Sequence, residues 1–419
     1  MQLYDKDLLS MQEVRELVET AKEAQKELAN MTQSQVDHIV RAIADAGVRN
    51  ARRLAEMAHE DTGFGKVEDK IIKNIFGSRG VYEYIKDMKT VGELDRDDVK
   101  KVRTIAVPVG VIAGLIPSTN PTSTTLYKAE IAIKAGNAIV FSPHPTALRC
   151  ILETVKVIRQ AIAEAGGNEN LVSCITNPTM EATDTLMKHR DVALILATGG
   201  PGMVKAAYSA GKPALGVGAG NSPSYIERTA DVAQSVKEIL ASKTFDNGTV
   251  CASEQSVICE ECNRDQVIAE FKKQGGYFMT AEETAKVCNL LFKNGGHSMS
   301  AKFVGRSAQV IATAAGISIP DGTRVLIGEQ QGVGDGYPLS YEKLTTVLAF
   351  YTVRDWHEAC ELSIKLLQNG IGHTMSIHTE DREMVRRFAA KPASRILVNT
   401  GGSMGGTGIS TGLATSFTL

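Results

Sequence analysis

The 419-residue sequence contains no G-x-G-x-x-G, no G-x-x-x-x-G-K-[ST] and no H-E-x-x-H string, which removes ordinary dinucleotide-binding folds, P-loop ATPases and zincins from consideration. Charge of neither sign is in excess. With 46 Lys+Arg against 48 Asp+Glu, the formal net charge of −2 gives no global pull toward nucleic-acid phosphates or an anionic membrane. The seven cysteines (Cys150, Cys174, Cys251, Cys259, Cys262, Cys288 and Cys360) are too few, and odd in number, for a disulfide framework. A reducing cytosol is the expected compartment. The longest mainly apolar stretch, 105–117, is broken by Pro108, Gly110 and Gly114, and the first ten residues carry Asp5, Lys6 and Asp7. Neither a membrane span nor a secretion signal is expected.

What remains is a globular balance, 43% hydrophobic and 22% charged, in a chain too long for one hydrophobic core. Ser10-Met11-Gln12-Glu13 reads as a capping box, and Val14, Leu17, Val18 and Ala21 follow at helical spacing. The first hundred residues are therefore predicted to be mostly helical and to pack outside a sheet. From Thr104 short β-branched runs alternate with amphipathic segments: strands over 105–116, 138–141, 171–176 and 192–197, helices over 122–135, 145–166, 180–189 and 201–210. Such alternation predicts a parallel sheet covered on both faces. It resumes after Gly220 with a strand at 224–226, a helix at 232–243 and a strand at 256–259, and runs to 395–400, predicting a second α/β domain.

Several segments carry candidate chemistry. Cys259-Glu260-Glu261-Cys262 has C-x-x-C spacing, but no second Cys/His pair completes a zinc set, so no metal is expected. Ile195 to Thr198 leads into Gly199-Gly200-Pro201-Gly202, with Pro201 placed like a first helical residue. That turn either aims free N–H groups at an anion or nucleotide, or is a tight turn without a ligand. Residues 216–223, with Gly216, Gly218 and Gly220, read as a close backbone approach or as an interdomain linker. Cys251 follows the polar turn Asp246-Asn247-Gly248, a position that permits a reachable thiolate where mid-strand Cys174 and Cys259 do not. His373, in a glycine-flanked turn, is a proton carrier or donor, or a solvent-facing histidine. Asn120 follows a buried strand at the carboxyl edge of the first sheet, where ligands of open α/β folds bind, although a turn residue before proline needs no function.

In order and spacing these strings resemble the aldehyde dehydrogenase superfamily over nearly the whole chain, specifically its CoA-acylating branch. The strings are 117–124 with Asn120, Phe141-Ser142-Pro143-His144-Pro145, 197–202, 216–223, 244–255 with Cys251, Tyr341-Glu342-Lys343-Leu344 and 370–374. They are similar to the aldehyde dehydrogenase half of bifunctional aldehyde-alcohol dehydrogenases and to monofunctional microcompartment acetaldehyde and propionaldehyde dehydrogenases. With no alcohol dehydrogenase half following, the monofunctional type is expected. The resemblance implies an α/β fold: a Rossmann-like nicotinamide-cofactor domain over 1–219, a catalytic domain over 220–400, and a return segment over 401–419 that is short for the family.

It further implies that Cys251 is the nucleophile and that the Asn120 amide and the Cys251 N–H form the oxyanion hole. Ser142, Pro143 and His144 would lie along the adenosine end of the cofactor, and Thr198, Gly199, Gly200 and Gly218 near its diphosphate and nicotinamide. Glu342 would hold the nicotinamide ribose, and His373 would steer protons or CoA. Hydrolytic relatives keep a general-base glutamate where Val217 stands, 34 residues before Cys251 (251 − 217). Water needs a base to attack a thioester, whereas a thiol of pKa ~8.5 is already a few per cent thiolate at neutrality. The implied reaction is NAD-dependent oxidation of a short aliphatic aldehyde to acyl-CoA, with NADP as the alternative cofactor, CoA as co-substrate and no metal. A homodimer or homotetramer is implied, in the cytoplasm or inside a bacterial microcompartment. The competing readings are a hydrolytic aldehyde dehydrogenase, a non-redox CoA acyltransferase and an inactive structural or cargo homologue.

Overall fold

The computed structural model describes residues 5–293, 298–370 and 372–418. Ile371 of the 370–374 string, and Leu419, lie outside the described residues. The chain divides into two compact units. The first comprises the residues up to Gly63, Lys70–Gly218 and Ala414–Thr418; the second comprises Phe64–Asp69 and Ala219–Leu413.

The first unit is built on a five-stranded parallel sheet of β1 (Val111–Ile116), β2 (Ala138–Pro143), β3 (Val172–Cys174), β4 (Val192–Thr198) and β5 (Ala214–Val217), in the order β3-β2-β1-β4-β5. Every residue of β1 and β2 is buried, which is why these runs read as continuously apolar rather than alternating. The helices Pro121–Lys134, Leu148–Glu164, Met180–Lys188 and Pro201–Tyr208 connect the strands. After β3 the chain returns to the other side of β1, so the strand order reverses between β1 and β4. In open α/β sheets the crevice outside the carboxyl ends at such a reversal is where ligands bind.

Two sequence expectations shift here. The run 105–116 is not one strand: an exposed hairpin, Gly92–Asp97 paired with Val102–Ala106, ends before β1 begins at Val111. Pro108 has no N–H for a ladder, and Gly110 sits at φ +120. Nor does Ser10 cap a helix, because the first helix, Lys6–Leu28, starts earlier with Asp5 accepting from the N–H groups of Asp7 and Leu8. Ser10 is instead buried in mid-helix, bonded to Asp7 O and Thr179 Oγ1, each at 2.9 Å, while Glu13 accepts from the Thr176 N–H at 2.8 Å.

The second unit contains a seven-stranded parallel sheet: β6 (Ser222–Ile226), β7 (Glu254–Glu260), β8 (Gly276–Phe278), β9 (Val325–Glu329), β10 (Val347–Val353), β11 (Thr374–His378) and β12 (Arg395–Val398). Their order is β8-β9-β10-β7-β6-β11-β12. Its core is aliphatic and aromatic, with Phe271, Phe278 and Phe350 meeting edge to face. Residues 401–413 belong to this unit, and Ala414–Thr418 to the first, where Phe417 packs on Tyr127 with ring centroids 6.3 Å apart.

Candidate active site

In the first unit, the residues singled out from sequence converge on one edge of the sheet. Asn120 follows β1, Ser142 and Pro143 end β2 and lead to His144, Thr198 ends β4 before Gly199 and Gly200, and Gly218 follows β5. These are the carboxyl ends of four neighbouring strands. At the reversal point Lys128, fully buried, donates to Leu115 O on β1 and Leu196 O on β4, both at 2.8 Å. Burial lowers its pKa to about 7.

Asn120 stands just before the helix Pro121–Lys134 in a non-helical conformation, without a side-chain cap bond, and is 8% exposed. Its Oδ1 accepts from Lys73 Nζ at 2.7 Å and its Nδ2 donates to Thr119 Oγ1 at 3.2 Å. Thr198 Oγ1 is buried with no hydrogen-bond partner among the described residues. The Gly199 N–H donates to Val217 O at 3.2 Å, and a Cβ added at Gly200 or Gly202 would meet nothing within 4 Å. This edge therefore combines an unmet polar group, open space over glycine backbone and a helix N-terminus at Gly200-Pro201, which suits a nucleotide. Ser142 is different: its hydroxyl is buried and engaged with Thr183 Oγ1 at 2.8 Å. His144 is exposed, and its Nδ1 accepts from Thr146.

In the second unit the candidates gather at the opposite kind of edge. Glu342 precedes β10, Cys251 precedes β7, Gly220 precedes β6 and His373 precedes β11, so the amino ends of four neighbouring strands carry them. Glu342 Oε1 accepts from the Gly220 N–H at 2.7 Å, and burial pushes its carboxyl up to about 7 against the pull of that N–H, Lys243 and Lys343. A Cβ at Gly220 would stand 1.8 Å from Cys251 O and 2.8 Å from its carbonyl carbon. Gly220→Ala must therefore shift the backbone at position 220 or at Cys251 by about an ångström, and any reaction that runs through the Cys251 thiol is expected to slow roughly tenfold to a hundredfold. A rate equal to the parent's would show that the loop tolerates the shift.

The loop before Cys251 is held in an unusual conformation. Asp246, Asn247 and Gly248 all have positive φ, at 47°, 52° and 76°. Asp246 is held from several sides: its Oδ1 accepts from Lys66 N and its N–H donates to Asp69 Oδ2, both at 2.7 Å, while Thr249 Oγ1 donates to Oδ2 at 2.6 Å. Fixed contacts of this kind sustain a left-handed run at non-glycine residues. Cys251 itself is half-buried. Burial raises four thiols: Cys150 and Cys174 far up, Cys259 to about 12 and Cys288 to about 11.

Behind the loop lie buried titratable side chains that sequence reasoning missed. Lys243 Nζ donates to Gln255 Oε1 at 3.1 Å and Lys343 O at 2.9 Å, and Lys343 Nζ donates to Tyr341 O at 2.8 Å. Glu254, three residues after Cys251, accepts from the Gly402 N–H at 2.6 Å, and burial lifts its carboxyl to about 7. His373 is buried rather than solvent-facing, its Nδ1 is 2.8 Å from Thr374 Oγ1, and burial with the Arg395 charge lowers it to about 4. It is neutral at physiological pH, so it can offer a hydrogen bond or accept a proton weakly but does not arrive as an imidazolium. Among the described residues no group of three or more His, Cys, Asp or Glu side chains could hold a metal ion, and no helix is long and apolar enough to cross a membrane.

Residues 4–280 match the model of the aldehyde dehydrogenase family. This chain belongs to the aldehyde dehydrogenase family. It is 46% identical over 401 residues to the bifunctional aldehyde-alcohol dehydrogenase AdhE of Escherichia coli (strain K12), covering 94% of this chain and 45% of AdhE. The chain thus spans about half the length of that curated relative. An acetylating aldehyde dehydrogenase from Geobacillus thermoglucosidasius superposes with a TM-score of 0.97 at 53% identity, covering 100% of this chain and 92% of that one. A Rhodopseudomonas palustris propionaldehyde dehydrogenase, solved with bound CoA and an acylated cysteine, superposes with a TM-score of 0.88 at 30% identity, covering 97% and 92%. Identity is higher to the AdhE half than to the propionaldehyde enzyme. As in those relatives, the α/β architecture with parallel sheets is that of the family.

Proposed function

We propose that this aldehyde dehydrogenase converts a short aliphatic aldehyde and CoA to acyl-CoA, reducing NAD, with NADP as the alternative cofactor. The observation that carries the proposal is Val217: where hydrolytic members keep a general-base glutamate, this chain has a buried aliphatic side chain at the end of β5. It cannot take a proton from water, so a thioester formed here waits for a thiol. The acetylating relative and the relative with bound CoA and an acylated cysteine support the same outcome.

Cys251 Sγ bonds to the aldehyde carbon, and the carbonyl oxygen becomes an oxyanion that the Asn120 amide N–H stabilises. A bound nicotinamide nucleotide would supply the hydride acceptor, and Cys251 would then carry the acyl group as a thioester. Thr198, Gly199, Gly200, Gly218 and Glu342 would hold that nucleotide, with Ser142, Pro143 and His144 toward its adenosine. The CoA thiolate then attacks the thioester carbon, the Cys251 C–S bond breaks, and acyl-CoA leaves. His373, neutral, orients CoA or relays a proton at this stage. Self-association to a dimer or tetramer, and residence in a microcompartment, are further parts of the proposal.

The test is the initial rate of reduced-nicotinamide absorbance with propionaldehyde and NAD, with and without CoA, followed by product identification. Strict dependence on CoA with propionyl-CoA formed is expected. Equal rates without CoA and release of propionate would overturn the assigned acceptor.

A further inference from the structure

We propose that Lys73 is a positioning residue for the reaction: its ammonium decides which way round the Asn120 amide sits and so presents the NH2 group to the developing oxyanion. The proposal rests on the aldehyde oxidation proposed above and adds to it a residue that none of the recognised strings contains.

The two ends of an asparagine amide are nearly the same size, so orientation comes from the neighbours. An ammonium has three donors and no acceptor. At 2.7 Å from Lys73 Nζ, the amide atom must therefore be the oxygen, and the NH2 is turned the other way. One of its two hydrogens goes to Thr119 Oγ1. It is an N–H of this turned-away NH2 that the reaction requires. Flipping the amide would set NH2 against NH3+, and with Lys73 2% exposed and Asn120 8% exposed, little water is available to soften that clash. The ammonium also draws electron density toward Oδ1, which makes the N–H hydrogens better donors.

The surroundings hold both partners in place. Lys73 and Asn74 are consecutive on the helix Val67–Ile75, and Asn74 Oδ1 accepts from Thr122 Oγ1 at 2.6 Å while its Nδ2 donates to Ala51 O at 3.0 Å. Adjacent residues of one helix thus grip residues 120 and 122 across the start of another. This is the arrangement of a supporting shell that fixes a reactive group, rather than of a lysine that merely found an acceptor.

The experiment is a double-substitution cycle on the full chain, read as kcat and KM for CoA-dependent propionaldehyde oxidation, with NAD titration and a thermal melt as checks on folding. Lys73→Met is expected to lower kcat about 10- to 100-fold, the scale of a hydrogen bond to a charged group, with aldehyde KM and NAD affinity little changed. Lys73→Arg, again all donors and no acceptor, is expected to recover most of kcat. In an Asn120→Ala background, Lys73→Met should cost nothing further, because the amide it orients is gone. If Lys73→Met does not fold, Lys73→Gln replaces it: a glutamine offers either end to Asn120, no longer selects one orientation, and should also lower kcat. An unchanged kcat in the folded Met or Gln variant overturns the proposal, and so does a full additional loss in the Asn120→Ala background, which would mean that Lys73 acts by another route. Turnover of the unsubstituted chain tests the reaction, whereas the ratios among variants test Lys73, so the two fail separately.

Discussion

Replacing Cys251 with alanine is expected to abolish aldehyde oxidation while leaving NAD binding intact. The thiolate is the only group in the proposed mechanism that bonds to the aldehyde carbon, and without that bond no thiohemiacetal exists from which a hydride can depart. Among the described residues no other thiol stands at the amino ends of β10, β7, β6 and β11. Cys150, Cys174, Cys259 and Cys288 are additionally kept protonated by burial. Initial rates with propionaldehyde, NAD and CoA measure the loss, and a nucleotide titration measures what is kept. A Cys251→Ala chain that still reduced NAD with aldehyde and CoA would refute covalent catalysis. Intact-mass measurement gives a second readout: the unsubstituted chain given aldehyde and NAD without CoA should gain one acyl group, and the alanine variant none.

Asn120→Ala is expected to lose about 10²- to 10³-fold in kcat, the usual effect of removing one oxyanion donor, with nucleotide affinity retained. The same substitution also takes away the Oδ1 acceptor that buried Lys73 uses, so some loss of stability should accompany the loss of rate, on the order of 1 to 3 kcal/mol. Asn120→Asp separates the two effects. The carboxylate keeps an acceptor for Lys73 but has no N–H to give, so the melt should recover while the rate does not. An Asn120→Ala chain with unchanged turnover would remove this residue from the oxyanion site.

The alternation of strands and helices was legible because strands buried on both faces show up as short apolar runs, and β1, β2 and β7 are of that kind. Boundaries were less so. Ser10 to Glu13 has the letters of a capping box, but Asp5 caps the helix a turn earlier, and local letters cannot show that Ser10 and Glu13 serve Thr179 and Thr176 instead. The recognised strings singled out Cys251, Asn120, Thr198 and Glu342. The supporting residues stayed hidden for a physical reason. Lys73, Lys128, Lys243 and Lys343 are lysines in or beside helices and strands, and lysine in sequence reads as a solvated face. Among their acceptors are oxygens 47 positions away for Lys73, 13 and 68 for Lys128, 12 and 100 for Lys243, and 2 and 4 for Lys343, so the longer-range pairing appears only once the chain has folded.

Glycines of the two units fall into two kinds, with a consequence for mutational scanning. At Gly65, Gly220 and Gly248 the chain itself leaves no room, since an added Cβ would meet Asp246 Oδ1 at 1.8 Å, Cys251 O at 1.8 Å and Thr345 O at 2.8 Å. Gly65 and Gly248 also have positive φ, so a side chain there carries backbone strain as well. Gly200 and Gly202 face open space and have ordinary backbone angles. At the first three positions a library registers the protein's own architecture, as lost soluble yield or, at Gly220, as lost rate. At the other two the polypeptide raises no objection, so any intolerance recorded there traces the outline of a bound molecule.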